Sequence, residues 1–334
     1  MNLKTIAKLA GVSTATVSNV INGNHHKVSE STLLRVQKVI EENNYRPSTT
    51  ARSLVLRRSR IIAVVVPNLA PEEPFSVNPY NAQFLSWLEC AVRRRGYYLM
   101  LHCVGRHREA LPALTSWNVE GAFYLGAFQE EVQELVREVR QPAVYIDTYA
   151  AGLDMARVNV DDCKGGALAA GHLLERGHRR IAFAGPETEI PGVMQQRYRG
   201  FCEAFQRRGL PLPEQHLFPA ETLFDTGRQA ADRILSAGGF TAVFAGSDIL
   251  AFGLLEGFRC RGVRVPEDIS VVGFDDLPAC RYTHPQLTSV SQNLREKAEC
   301  ACDCLFAMLE RGERLTGEWK VDVALQERSS VRTL

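Results

Sequence analysis

Residues 5–24 read TIAKLAGVSTATVSNVINGN, and their spacing decides the N-terminal fold. Leu3, Ile6, Ala7 and Ala10 fall at i, i+3, i+4 and i+7, one face of a short helix that Gly11 ends. Ser13 is a good N-cap for a second helix with Val17, Val20 and Ile21 as its apolar stripe, and Asn22-Gly23-Asn24 breaks it. Ser29 is placed to cap a third helix, in which Leu33, Val36 and Ile40 recur before Asn43-Asn44. Three short helices can share one small core, and the tight turn at Gly11 gives the first two the form of a helix-turn-helix.

The second helix would present Thr14, Ala15, Ser18 and Asn19 outward. Asn can bond adenine twice, Ala and a Thr methyl suit the thymine methyl, and hydroxyls serve bases or phosphates. Charge agrees with that reading. Residues 1–60 carry ten Lys/Arg against three acids, a net of +7, which leaves −6 for the rest of a chain whose formal total is +1. A basic head on an acidic body suggests that the head alone meets a polyanion.

Pro47 stops regular structure, and STTARSLVL at 48–56 is a piece that could be helical but is too short to be stable alone. From Arg60 the texture changes to strand-like runs at 61–66, 97–103, 121–125, 143–147, 180–184, 241–245 and 269–274. Amphipathic segments at 84–95, 165–176, 197–208, 227–237 and 249–261 separate most of them. Such alternation predicts parallel sheets with helices on both faces, and the length predicts two of them.

The chain of 334 residues, 45% hydrophobic and 23% charged, has the composition of a soluble globular protein. The longest apolar run near a terminus, 61–67, is far short of the roughly 20 residues a membrane helix needs. MNLKTIAKLAGVS lacks the apolar core of a secretion signal, so a cytoplasmic protein with no membrane partner is expected. Nine cysteines, including Cys300, Cys302 and Cys304 along one helix, form no Cys-x-x-Cys pair and read as structural thiols with no metal site. The minimal parts of phosphate-loop, dinucleotide, serine-hydrolase and zincin sites are absent, so neither catalytic residues nor cofactors are expected.

The head motif, followed by VSESTLLRVQKVIEENNYRP (28–47) and ARSL (51–54), resembles the lactose-repressor (LacI/GalR) family of bacterial transcription regulators. GHRRIAFAG (177–185), RYRGF (197–201), GSDILAFGLL (246–255), VPEDISVVGFDD (265–276) and PQLTSV (285–290) continue the resemblance in order. It implies an all-α helix-turn-helix head plus an α/β periplasmic-binding-protein-like core of two Rossmann-like subdomains. The expected organisation is a DNA-binding domain at 1–46, a hinge helix and linker at 47–59, and an effector-binding and dimerisation domain at 60–334. The implied partners are double-stranded operator DNA, a small-molecule effector and a second copy of the chain.

By the same resemblance, DNA contacts fall to Thr5, Ser13, Thr14, Ala15, Thr16, Ser18, Asn19, Asn22, Ala51 and Leu54. Leu54 matches the hinge leucine that wedges into the minor groove, its alternative being packing against the body. Effector contact falls to Arg197 and Asp248, with helix capping or surface ion pairing as their alternatives. Asp147, Asp248 and Asp275 follow predicted strands, where ligands of open α/β sheets bind, and Asp161 stands at a family-like position. Tyr80, in an Asn-Pro-aromatic stretch, either stacks on ligand or packs in the core. The preceding loop is longer than usual and carries an inserted 71–74 segment. The resemblance predicts a repressor whose operator affinity is set by a sugar or sugar derivative. The final KVDVALQERSSVRTL has no leucine heptad, so a dimer rather than a coiled-coil tetramer is expected.

Overall fold

The computed structural model describes residues 1–21, 23–45, 58–67, 74–150, 152–186 and 189–334. It divides into two units, Met1–Arg60 and Ile61–Leu334. In the first, α1 (Leu3–Ala10) is capped by Asn2, whose side chain accepts from the Thr5 amide. Gly11 ends it at φ 62°, a left-handed conformation that a side chain would resist. Ser13 accepts from the Thr16 amide at 3.1 Å as α2 (Thr14–Ile21) begins. Ser29 caps α3 (Glu30–Glu42) through the Thr32 amide. Ile6, Val17 and Val36, one from each helix, are fully buried together.

The second unit holds two six-stranded sheets. Sheet 1 contains β1 (Ile61–Pro67), β2 (Tyr98–Val104), β3 (Gly121–Leu125), β4 (Ala143–Ile146) and β5 (Ala156–Val160), and sheet 2 contains β6 (Ile181–Gly185), β7 (Leu217–Pro219), β8 (Ala242–Ala245), β9 (Ser270–Asp275) and β10 (Thr288–Ser291). Then β11 (Gly317–Val321) returns to the edge of sheet 1, and β12 (Ala324–Gln326) to the edge of sheet 2. The chain thus crosses between subdomains three times. In β1, Ile62, Val64 and Val66 enter one core cluster while Ala63 and Val65 enter another, so the sheet is covered on both faces and its strand reads as an unbroken apolar run.

Helices α4 (Pro79–Arg94), α5 (Leu111–Ser116) and α6 (Gln129–Glu138) cover sheet 1; α7 (Asp162–Glu175), α8 (Val193–Gln206), α9 (Phe224–Ala237) and α10 (Asp248–Cys260) cover sheet 2. After leaving sheet 2 at β10, the chain packs α11 (Leu294–Arg311) into the core of subdomain 1. One expectation needs correction: β12 runs antiparallel to β10, while the other strand pairings among the described residues are parallel. Strands β5, β7, β10, β11 and β12 escaped the sequence reading, because Arg157 and Asn159 interrupt β5 and the other four are short or exposed at sheet edges and ends. No helix among the described residues is long and apolar enough to cross a membrane.

Candidate functional site

In the head, Val17 and Val20 turn inward, leaving Thr14 and Ala15 exposed and Thr16, Ser18 and Asn19 half-buried. Ser13 and Thr5 are exposed, but their hydroxyls already serve the caps: Ser13 Oγ lies 2.9 Å from Thr16 Oγ1, and Thr5 Oγ1 donates to Asn2 at 3.0 Å. Neither α1 nor α2 has an acid in its first turn, so both helix N-termini keep their positive end uncompensated. Asn22, Ala51 and Leu54 lie outside the described residues, as do most of the hinge at 47–59 and residues 68–73 of the long loop.

In the body, a cleft of about 1110 Å³ separates the subdomains. Its walls come from Pro67 at the end of β1, Arg106 after β2, Phe128 after β3, Asp147 after β4, Ile190 after β6, Thr222 after β7, Ser247 after β8, Asp275 at the end of β9 and Gln292 after β10. These are carboxyl ends of strands from both sheets, where side chains converge without an intervening ladder.

A buried polar chain runs along the cleft floor. Tyr80 donates to Asp147, and Lys297 pairs with Asp147 while donating to Tyr80 Oη at 2.9 Å and Gln292 Oε1 at 3.1 Å. Gln292 donates to Asp275 at 2.5 Å. On the far side, Arg197 donates through Nε to Asp162 at 2.8 Å and through Nη1 to the Gly246 carbonyl at 2.6 Å. Its Nη1 stands 3.7 Å from Asp275, and its guanidinium lies 3.7 Å over the Phe274 ring. Tyr149 donates to Asp162 at 2.6 Å and so ties subdomain 1 to α7.

Backbone geometry sets these positions. Asp147 at φ 55° and Asp275 at φ 122° occupy left-handed conformations that non-glycine residues rarely adopt, a strain that collects at functional sites. Buried Asn159 holds the first of them by bonding both backbone groups of Thr148, at 3.0 and 3.1 Å. Arg197 reaches Asp162 because α7 and α8 touch through Gly166 and Gly200, where a Cβ would sit 2.0 Å from the Arg197 carbonyl and 1.9 Å from the Cys163 carbonyl.

Burial raises the Asp162, Asp248 and Asp275 carboxyls above their usual range, with Arg197 pulling Asp162 and Asp275 back down. Burial opposes charge on Arg197 too, but Asp162 and Asp275 more than offset it. Burial, then the adjacent Asp147 and Asp162, keep Tyr80 and Tyr149 as neutral hydroxyls.

The cleft therefore gathers four of the six residues singled out from sequence: Tyr80, Asp147, Arg197 and Asp275. Two readings are revised. Asp248 is fully buried behind the wall, accepting from the Leu277 amide at 2.7 Å, Ser289 at 2.6 Å and the Cys280 thiol at 3.0 Å, while Ser247 caps α10 and faces the cleft. Asp161 caps α7 through the Lys164 amide, and its neighbour Asp162 meets Arg197. Lys297, Gln292, Tyr149 and Asp162 were missed. Lys297 left a signal: with Leu294, Ala298 and Ala301 it falls on the buried stripe of its helix, where a lysine needs an anionic partner. Among the described residues no cluster of His, Cys, Asp and Glu could hold a metal ion.

Two family models match the chain: bacterial regulatory proteins of the lacI family over residues 2–48, and a periplasmic binding protein-like domain over residues 170–331. It is 31% identical over 339 residues to the HTH-type transcriptional repressor PurR of Vibrio atlanticus, covering 99% of each chain. It is 29% identical over 341 residues to the HTH-type transcriptional repressor CytR of Escherichia coli, covering 99% of this chain and 96% of that one. Among solved structures, a complex of the transcriptional regulator CelR with cellobiose is 28% identical with a TM-score of 0.74, covering 99% of both chains. The Lac repressor dimer bound to operator and the anti-inducer ONPF, at 24% identity and TM-score 0.87 over 99% of both chains, shares the fold.

Proposed function

This chain belongs to the lacI family of bacterial regulatory proteins, and on that premise we propose that it represses transcription from an operator that it grips as a homodimer, under control of a hydroxylated metabolite in the cleft. It is a regulator and not an enzyme, and DNA as its partner places its work in the cytoplasm. The observation that carries this reading is the convergence of Asp147, Arg197 and Asp275 from both subdomains on one cleft, in a chain whose separate helical unit holds the basic excess. Carboxylates accept paired hydrogen bonds from vicinal hydroxyls, and a ligand held by both subdomains stabilises one arrangement of them over another.

In the head, Thr14, Ala15, Ser18 and Asn19 read base edges, while Thr5, Ser13 and Thr16 turn their hydroxyls from the cap bonds to phosphates when DNA is bound. Asn22, Ala51 and Leu54 complete the contact set by family resemblance. In the cleft, Tyr80, Asp147, Arg197 and Asp275 touch the effector; Asp161 and Asp248 hold the loops beneath. A second copy of the chain would cover the apolar edge strand β2, where Tyr98 is 68% exposed and Leu101 39%. The Lac repressor, a relative in fold, is a dimer on its operator. The test is to select an operator from random duplex DNA with the full chain, then titrate it with and without a panel of sugars and nucleosides. A palindromic consensus whose affinity changes with one compound supports the reading; sequence-independent binding overturns it.

A further inference from the structure

One buried histidine ties down the rim of the cleft in subdomain 1. After β2 the chain passes through Gly105 and Arg106 into the short turn His107–Ala110, and Gly105, Arg106 and Arg108 line the cleft there beside Leu125 and Gly126 at the end of β3 and Glu131 of α6. His107 is fully buried. Its Nε2 lies 2.8 Å from the Leu125 carbonyl oxygen and its Nδ1 3.0 Å from Glu131 Oε2. A single ring thus fastens the turn to β3 and α6 together.

The two partners fix the proton count. A carbonyl oxygen only accepts, so Nε2 carries a hydrogen. An ionised carboxylate only accepts as well, so the bond to Glu131 needs a hydrogen on Nδ1, and a ring with hydrogen on both nitrogens is an imidazolium. The proton rests on the ring, because the Glu131 side chain is 28% exposed and keeps part of its hydration as a carboxylate. A neutral ring would set a bare Nδ1 lone pair against that carboxylate, with His107 shut off from any water that could replace the bond.

The other fastenings of the turn are weak. Arg108 reaches Glu134 at 3.3 Å and Glu138 at 3.6 Å from a side chain that is more than half exposed, and exposed pairs contribute little. The Gly105 amide donates to Glu109 within the same stretch. Of the elements packed on the turn, β1 and α5 carry no titratable side chain, and β2 carries Tyr98, His102 and Cys103. Tyr124 of β3 tilts against the His107 ring with its hydroxyl held neutral by burial, and α6 adds the exposed Glu130 and Arg137.

We propose that His107 is a proton-operated clasp on the rim of the cleft: with both nitrogens protonated it pins residues 105–110 to β3 and α6, and on losing the Nδ1 proton it releases the turn and frees the Glu131 carboxylate to swing into the cleft mouth. The rim is therefore ordered on the acid side of the range in which histidines change charge and loosened on the alkaline side. The inference rests on the effector reading only for what the rim admits; the clasp itself is measured on the chain without ligand, so either can fail alone.

The test is nitrogen NMR of the full chain labelled with 15N-histidine, the His107 signals being those lost in His107→Gln, together with hydrogen exchange. At about pH 6.5 both His107 nitrogens should be protonated, and by about pH 8.5 one should be bare. Over the same interval the protection of the Glu109 and Leu111 amides, which bond within the turn, should fall about tenfold or more after correction for the intrinsic rate at each pH, while that of β6 stays constant. Glu131→Gln should abolish this pH dependence, because its side-chain amide donates to the lone pair of a neutral ring while Nε2 still donates to Leu125. A bare nitrogen on His107 at the lower pH, a ring that keeps both protons at the higher one, protection that does not follow the ring, or Glu131→Gln as pH-sensitive as the parent overturns the clasp.

Discussion

Replacing Arg197 by Met removes the counter-charge from two buried carboxylates while keeping much of the side chain's volume. Asp162 is 1% exposed and Asp275 6%, so neither can recover water's solvation, and the Gly246 carbonyl loses its donor at 2.6 Å. Breaking a buried pair by deleting one partner costs about 3–5 kcal/mol, a large share of the roughly 5–15 kcal/mol by which a folded domain is stable. The sign of the pH dependence follows. Without the guanidinium both carboxyls titrate still higher in the folded state, so acid relieves the penalty by protonating them, and the loss should shrink as pH falls from about 7.5 to about 5. Urea unfolding followed by tryptophan fluorescence is the assay. All three tryptophans, Trp87, Trp117 and Trp319, lie in the Ile61–Leu334 unit, so the signal reports that unit and not the head. Adding Asp162→Asn to Arg197→Met should recover part of the loss, because one stranded charge is gone. A loss below about 1 kcal/mol, unchanged between the two pH values, would refute the claim that these charges are desolvated and mutually compensated.

Gly200→Ala places a Cβ 1.9 Å from the Cys163 carbonyl; it should cost about 1–3 kcal/mol in urea unfolding and weaken effector binding by displacing Arg197 on the same helix. Asp248, raised to about 8 chiefly by burial, keeps a proton that an unfolded aspartate near 3.9 would release, so the folded state binds more protons between those values and its stability falls as pH rises through the window. Asp248→Asn should flatten that slope in melting curves; an unaltered slope would assign the effect to another group. The head's net +7 should give operator binding a log–log salt slope of several units, and Asn19→Ala should cost about 1–3 kcal/mol at one base-pair position, whereas an equal loss on every sequence would make Asn19 a phosphate contact.

The local elements were legible because their signals are local. The 3.6-residue spacing of Ile6, Ala7, Ala10, Val17 and Val20, the caps at Ser13 and Ser29 and the stop at Gly11 depend on neighbours within one turn, and the helices appear where that spacing puts them. The runs of β1, β3 and β9 were equally plain, since a strand covered on both faces must be apolar throughout. Asp147 and Asp275 could be marked because they follow such runs. Other decisions belonged to tertiary structure alone. Whether Asp248 or Ser247 faces the cleft, and whether Asp161 or Asp162 meets Arg197, turns on a rotation of one residue about a helix N-terminus, which no pattern of residue types records. Lys297 meets Tyr80 and Asp147 across sequence separations of 217 and 150 residues, joined by a chain that has crossed between the two sheets. Sequence periodicity reports which face of an element is buried; which charges meet inside depends on how those faces are brought together, and that is set by the packing of the whole body.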